Sequence, residues 1–497
     1  MEMKGGDKNM VLKFKQGINQ NQEFLFAKKL SEFLPENHLA KAISEIVRLL
    51  DFQNIESKYS EIGQHAYDPK TMVSLLFYGY SRGVRSSRKI SEGCEERFDF
   101  IFLSDGLRPS HDRISDFRKD NLEELKEFFK EIVLIGANLG LAKLGNIKTS
   151  IDGAKIRANA SAKLSKDEDG LKRLLEKTEE EIKKMLEEAE QVDKEEDEKY
   201  GKENRGDELP KKLQAKKSRK EAIEKAFKKL KKQKEEMKAE LRKEKNREPT
   251  KSGLKKINEK KINVTDNDAK FMKERNGCIK PNYNAQLSVD EENQFILAND
   301  VVDECNDQHQ LVPMLKKTKE NIGENPEKAK ADNGYYPQLE KAVELFPEID
   351  LYVDDKNRRK KDLDFEKIKE EYNEIEYKNL TKLLSKEGEA EYKKRMHTVE
   401  PPIGNIKHNL GYRYFLLRGI DKVAGEFNLM CIAHNLNKIH SSFRKKKVKN
   451  VAVALQSVGK TRNIEGKDWL DGGEMQGECE LDSVIKNNFG FSVSNFY

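Results

Sequence analysis

Apolar residues recur at helical spacing through most of the first 145 residues. The spacing predicts three helices with a buried face, and serines at suitable positions predict the starts of two shorter ones. The predicted ranges are Phe24–Leu34, Leu39–Leu50, Thr71–Tyr80, Arg88–Glu95 and His111–Lys119. We therefore expect residues 1–145 to form a helical N-terminal domain.

The last of these predicted helices carries three basic side chains, those of Arg113, Arg118 and Lys119. We expect the helix to expose them, so that it could lie in the major groove of a DNA duplex with basic groups on the phosphates. A solvated helix face without a partner is the ordinary alternative. These residues alone leave both interpretations open.

After residue 144 the pattern becomes that of strands alternating with helices. Short or alternating apolar runs predict strands over Leu144–Ile156, Tyr283–Val289, Gln294–Val302, Lys328–Ala331 and Leu351–Val353. Helices are predicted over Gln308–Asn321, Pro337–Leu345 and Ile420–His440, with a polar connection from Asp354 to about residue 390 and a helix opening at Glu400. This order predicts a mixed α+β fold in which helices flank a mixed sheet.

A highly charged segment separates the first predicted strand from the others. Its apolar residues form two series with the spacing of a coiled-coil seam: Leu171, Leu175, Thr178, Ile182, Met185, Ala189 and Val192, then Ile223, Phe227, Leu230, Met237 and Leu241. The first series lies among mainly acidic residues and the second among mainly basic ones. We expect a helical hairpin inserted over residues 165–260, with a disordered linker as the alternative.

The overall charge is nearly balanced, with 95 basic and 89 acidic residues and a net charge of +6. A polyanionic partner must therefore be met by local basic patches. The five cysteines are widely spaced, which argues against structural zinc and a disulfide framework and for a reducing cytoplasm. No apolar run reaches the roughly 18 residues of a membrane-spanning helix, so we expect a cytoplasmic protein with no membrane partner.

Three acidic residues stand out as candidates for catalysis: Asp152, Asp332 and Glu400. The two aspartates follow strand-like runs, and the glutamate lies at a predicted helix start, so all three could meet at one edge of the sheet. Carboxylate oxygens are the ligands that Mg²⁺ prefers, and two such ions can activate the attacking oxygen and stabilise the leaving oxygen at phosphorus. Taken singly, each acid has a simpler interpretation, as a turn residue or a helix-start carboxylate.

Basic residues near Glu400 suggest contacts to DNA. Arg395 precedes it, and Lys407 follows two helical turns later, where either side chain could hold a phosphate. An exposed lysine on an amphipathic helix is the alternative for Lys407. Asp266 and Asp268 could add a carboxylate, but we favour capping of a helix that follows them, or a supporting role.

Several segments resemble the DDE transposases of bacterial insertion sequences, in the IS-four/IS-five-like grouping. Residues 67–90 are similar to the family's N-terminal helical domain, and residues 151–160, 265–272 and 331–336 to the segments around its first two strands and second aspartate. Tyr392, Arg395, Glu400 and Lys407 resemble its Tyr/Arg/Glu/Lys signature, although four residues rather than three separate Arg395 from Glu400. The resemblance covers about residues 20–440.

The resemblance implies an RNase H-like catalytic domain over residues 146–440, with Asp152, Asp332 and Glu400 as catalytic residues that hold two Mg²⁺, or Mn²⁺, ions. It also implies that the N-terminal domain binds DNA and that the partners are the terminal inverted repeats and the target DNA, in a homodimer or larger assembly in the bacterial nucleoid. Residues 441–497 have no counterpart and stay unassigned.

The predicted function is therefore that of an insertion-sequence transposase, which binds the terminal repeats, cuts DNA strands and transfers them to a target. Two alternatives stay open. One is a catalytically silent regulator derived from a transposase, which binds the ends without cutting. The other is an RNase H-like nuclease that cuts without joining strands.

Overall fold

Helices account for the N-terminal part of the chain in the computed structural model, which describes residues 29–60, 65–200, 211–245, 250–274, 277–360, 363–446, 448 and 455. The helices are α1 Leu39–Val47, α2 Gln53–Glu56, α3 Pro69–Ser81, α4 Ser87–Glu96, α5 Phe98–Leu103, α6 His111–Asp120 and α7 Leu122–Asn138. All residues of α3 from Thr71 to Ser81 are buried, as expected of the central helix of a bundle. Four of the five predicted helices are confirmed. The fifth lies mostly outside the described residues, which hold only a 3₁₀ turn at Leu30–Phe33.

The sheet joins residues that are far apart in the chain. Its strands are β1 Lys148–Arg157, β4 Lys270–Lys273, β5 Ile279–Asp290, β6 Ile296–Val302, β7 Lys328–Ala331 and β8 Asp350–Val353; β2 Ser165–Lys166 and β3 Ile262–Asn263 form a separate pair. The strand order is β4-β5-β1-β7-β8, and β6 also pairs with β5. Strand β1 is antiparallel to β5 and parallel to β7. The predicted mixed α+β fold is confirmed.

Two long helices, α8 Glu168–Tyr200 and α9 Lys211–Lys245, occupy the charged segment, followed by α10 Lys251–Asn258. They pack through apolar residues of the predicted seam, including Leu171, Ile223 and Leu230. Ion pairs join their flanks, for example Lys220 with Glu179 at 2.8 Å. The acidic and basic arms therefore pair as the charge pattern predicts, and their connection lies outside the described residues.

Helices cover both faces of the sheet. They are α11 Leu311–Ile322, α12 Leu339–Leu345, α13 Phe365–Glu371, α14 Glu374–Leu384, α15 Lys386–Gly404 and α16 Ile420–Lys445. Helices α11 and α12 pack on the face that carries Ile151 and Ala331, and α15 contacts β1, β5 and β7. Helix α16 packs against β6, α3 and α7, so it connects the sheet to the N-terminal helices. Among the described residues, no helix is long and apolar enough to cross a membrane.

The prediction of a polar connection up to about residue 390 is wrong, because α13, α14 and the start of α15 lie there. Each of these helices begins at a side chain that accepts a hydrogen bond from a backbone N–H, those of Asp364, Asn373 and Ser385. Their few apolar residues, including Leu380 and Leu383, are buried. Favourable N-cap residues and a narrow apolar stripe thus stabilise helices in this segment, although most of its residues are polar.

Asp266 and Asp268 do cap a helix, as predicted, but the prediction that it is the next helix in the chain is wrong. The next element is the strand β4. Asp266 accepts the N–H of Gly419 at 3.2 Å, and Asp268 accepts the N–H of Ile420 at 3.0 Å. The two carboxylates therefore cap the distant helix α16, where negative charge is favoured by the helix dipole.

Candidate active site

A cleft of about 1230 Å³ opens beside the second half of β1 and the end of α15. Its acidic lining consists of Asp152, Glu274, Asp307, Asp332 and Glu400, and its basic lining of Lys155, Arg157, Lys273, Arg359, Arg395, Lys407 and Arg413. The three predicted acids thus reach one cleft from β1, from the end of β7 and from α15. Opposite charges line the same cavity, a combination suited to cations and phosphates together.

Asp152 lies in the middle of β1, which continues to Arg157, so the prediction of a strand end is wrong at this position. The pairing with β7 stops at Ser150, however, so the sheet opens on that side directly before Asp152. Burial raises the pKa of Asp152 to about 6; Arg395 opposes this shift, and the charges of Asp332 and Asp307 add to it.

Asp332 is the first residue after β7, as predicted from the sequence. Its Oδ1 accepts the N–H of Gly334 at 2.9 Å and caps the 3₁₀ turn Asn333–Gln338. Burial raises the pKa of Asp332, Arg395 lowers it, and Asp307 raises it further. The interpretation of Asp332 as a turn residue is therefore confirmed, and the same residue also lines the cleft.

Arg395 lies with the two aspartates. Its Nη1 is 3.4 Å from Oδ2 of Asp152, and its side chain is only 14% exposed. Its Nε and Nη1 are buried without a hydrogen-bond acceptor. A buried guanidinium with N–H groups that lack an acceptor is costly, so this position favours an added anionic acceptor for Arg395, such as a phosphate oxygen.

Glu400 lies near the end of α15 and is exposed. The prediction that it opens a helix is wrong, because the helix begins at Lys386 under the cap of Ser385. Lys407 follows in the π-helical turn Asn405–Asn409 and donates a hydrogen bond from Nζ to the carbonyl oxygen of Lys155 at 2.7 Å. Such turns disturb the regular helix and are frequent at functional sites.

The described residues contain no three acidic, histidine or cysteine side chains close enough together to hold one ion. The structure therefore brings Glu400 into the cleft but not into contact range of both aspartates. The donors nevertheless suit Mg²⁺, which is commonly bound through one or two carboxylates, with water and phosphate oxygens completing the octahedron. Asp152 and Asp332, with the cationic group of Arg395 beside them, fit this pattern.

Asp307 is a carboxylate of the cleft that the sequence did not reveal. It lies in the loop between β6 and α11, and its Oδ1 accepts hydrogen bonds from Asn284 Nδ2 at 2.8 Å and Gln286 Nε2 at 2.6 Å. The available signal was the row of buried polar residues at alternate positions of β5, which includes Asn284 and Gln286. Which loop residue would meet them depends on tertiary packing.

Helix α6 exposes two of the three basic side chains that were predicted to contact DNA. Arg113 and Lys119 are exposed, whereas Arg118 is 6% exposed. The Arg118 guanidinium donates hydrogen bonds to the Tyr80 hydroxyl at 3.3 Å and to the carbonyl oxygen of Arg85 at 3.1 Å. The prediction of an exposed Arg118 for DNA is therefore wrong, because its charge is used inside the helical bundle.

Cation binding at this site is expected to depend on pH. Because the pKa of Asp152 is raised to about 6, its charged form is lost as the pH falls through that value, whereas an ordinary aspartate stays charged. We expect Mn²⁺ affinity, measured by calorimetry, to fall between pH 7 and pH 5 by up to about tenfold per pH unit. Unchanged affinity across this range would contradict the involvement of Asp152.

Two segments of the chain match known protein families. Residues 28–120 match the family described as Transposase domain (DUF772), and residues 355–440 match the one described as Transposase DDE domain. No curated protein and no solved structure matches the chain. The first match covers α6, and the second contains Arg395, Glu400 and Lys407. Together with the mixed sheet, these two domain matches indicate a DDE transposase of the insertion-sequence type.

Proposed function

We propose that this transposase binds the terminal inverted repeats of its element, cuts DNA strands there and joins the freed ends to target DNA. The observation that carries the proposal is the grouping of Asp152, Asp332 and Arg395 in a basic cleft that Glu400 also lines. Members of this family generally use divalent metal ions. We propose Mg²⁺ for this chain, in two sites, with Mn²⁺ as a substitute.

The cleft has the charges that a DNA backbone requires. Lys155, Lys273 and Arg413 line it, and Lys273 and Arg413 are exposed. Phosphates would meet these groups without sequence selectivity, because backbone contacts orient a duplex and base contacts specify it. Arg113 and Lys119 of α6 are the further candidates for contacts to the terminal repeats.

Asp152 and Asp332 would hold the ions, and Glu400 would contribute from α15. When bound, Mg²⁺ supplies Lewis-acid stabilisation of charge at the phosphorus being attacked. Arg395 is suited to position the scissile phosphate, since its buried N–H groups need an acceptor beside Asp152. Lys407, tied to β1 through the Lys155 carbonyl, would orient the neighbouring backbone.

The test uses an end-labelled duplex that carries the inverted repeat found beside the coding sequence, with Mg²⁺ or with EDTA. We expect binding in both, cleavage only with Mg²⁺, and covalent attachment of the labelled 3′ ends to a second duplex. Binding without cleavage would support the regulator instead, and cleavage without joining would support the nuclease. Size measurement of the DNA complex tests the proposed dimer or larger assembly.

A further inference from the structure

Asp307 fits between the two glycines that accompany the site aspartates. A Cβ on Gly153, the residue after Asp152, would lie 2.4 Å from Asp307 Oδ1. A Cβ on Gly334, two residues after Asp332, would lie 3.4 Å from the Asp307 Cβ and 3.5 Å from Oδ2. Neither glycine has a positive φ, so close approach rather than backbone conformation explains Gly153. Gly153 thus leaves the space that the Asp307 carboxylate fills, whereas a Cβ on Gly334 would lie in ordinary van der Waals contact with it.

Hydrogen bonds fix the Asp307 side chain in this place. Asn284 and Gln286, on adjacent same-face positions of β5, both donate to its Oδ1. The Oε1 of Gln286 in turn accepts the hydroxyl of Tyr335, which is buried just after Asp332. The network ties the loop carboxylate to the strand beside β1 and to the turn after β7, so its position is set by three separate segments.

The negative charge of Asp307 needs an explanation that these hydrogen bonds do not give. A neutral amide oxygen could accept from Asn284 and Gln286 equally well. A carboxylate instead repels the charges of Asp152 and Asp332, both of which feel its field. Arg395 is the cation that the structure brings to this pair, and it reaches Asp152 at 3.4 Å. A third negative charge would strengthen the binding of a divalent cation, whose charge is higher than that of the guanidinium.

We propose that Asp307 is a third acidic residue beside the cation site, which strengthens divalent-cation binding by Asp152 and Asp332 through its negative charge and not as a direct ligand. The inference rests on the proposed function, because it concerns the same site. Asp307 acts by its charge and by its fixed place between Gly153 and Gly334. The negative charge beside the two aspartates would then come from Asp307 as well as from Glu400, which is exposed near the end of α15.

The test measures Mn²⁺ binding by calorimetry on the full chain without DNA. Asp307→Asn keeps the shape and the acceptor but removes the charge, so we expect affinity to fall about tenfold or more. The melting temperature without Mn²⁺ should stay equal or rise, because repulsion is relieved. Asp303→Asn is the matched control: Asp303 lies four residues earlier and pairs with Lys270 at 2.8 Å, so its loss should leave affinity unchanged.

The outcomes separate this inference from the proposed function. If Asp152→Asn and Asp332→Asn lose Mn²⁺ binding while Asp307→Asn keeps wild-type affinity, Asp307 has no part in the site and the inference is overturned. An Asp307→Asn chain that melts earlier or loses its fold would also overturn it, since the role would be structural. If Asp152→Asn and Asp332→Asn both keep wild-type affinity, the cation site of the proposed function is itself wrong.

Discussion

Replacement of Asp332 by Asn is expected to abolish Mg²⁺-dependent strand cleavage while the chain stays folded and bound to DNA. The amide oxygen can still accept the N–H of Gly334, so the turn after β7 is kept. The amide cannot supply the anionic ligand, and a bound cation contributes several kcal/mol of charge stabilisation. We therefore expect cleavage to fall about thousandfold or more.

The measurement is a cleavage time course on the labelled duplex, with binding followed in parallel. Asp300→Asn is a suitable control, because Asp300 pairs with Lys317 at 2.6 Å outside the cleft. The control should cut like the wild type. Cleavage by Asp332→Asn at the wild-type rate would remove Asp332 from the site, whatever the binding results.

Replacement of Glu426 by Ala is expected to have the largest effect on stability. Glu426 is fully buried in α16 and accepts hydrogen bonds from the backbone N–H groups of Leu416 and Leu417. It also pairs with Arg85 at 3.2 Å, and Arg85 itself is 7% exposed. Its removal leaves the two N–H groups without their acceptor and the buried guanidinium without its carboxylate, which costs about 3–5 kcal/mol.

This pair connects the N-terminal helices to the part of the chain that contains the sheet, since Arg85 lies between α3 and α4 and Glu426 lies on α16. Chemical denaturation followed by circular dichroism measures the loss. Glu426→Gln, which keeps the volume and an acceptor oxygen, should lose less, and Lys422→Ala on the exposed side of α16 should stay within about 0.5 kcal/mol of the wild type. Equal stability of Glu426→Ala and the wild type would show that the pair does not hold these parts together.

Apolar spacing, capping residues and charge patterns predicted much of the fold, because these local features themselves stabilise the helices and strands. The apolar run before Asp332 forms β7 as expected, and Pro69 begins α3 at its first turn. The paired helices of the insertion follow from the apolar spacing and the charges of their flanks. Asp332 could be recognised as a site candidate for the same reason, since it ends a short strand.

The remaining features depend on contacts between distant segments. Whether Arg118 is exposed depends on Tyr80 and on the carbonyl of Arg85, which the sequence around α6 does not contain. Asp266 and Asp268 cap the helix that begins at Ile420. Because this helix is distant in the chain, the sequence around the two aspartates does not indicate that they cap it. Asp307 can be found only once β5 and the loop after β6 are folded together.

A crystal structure of the full chain with Mn²⁺ and its DNA end would show whether the acidic residues of the cleft hold metal ions, because anomalous scattering locates the ions. We expect Mn²⁺ bound to the carboxylates of Asp152 and Asp332, with Glu400 at ligand distance, about 2 Å, and Arg395 hydrogen-bonded to a phosphate. Ions bound elsewhere in the chain, or a Glu400 that lies away from every ion, would contradict a cation site formed by these three carboxylates.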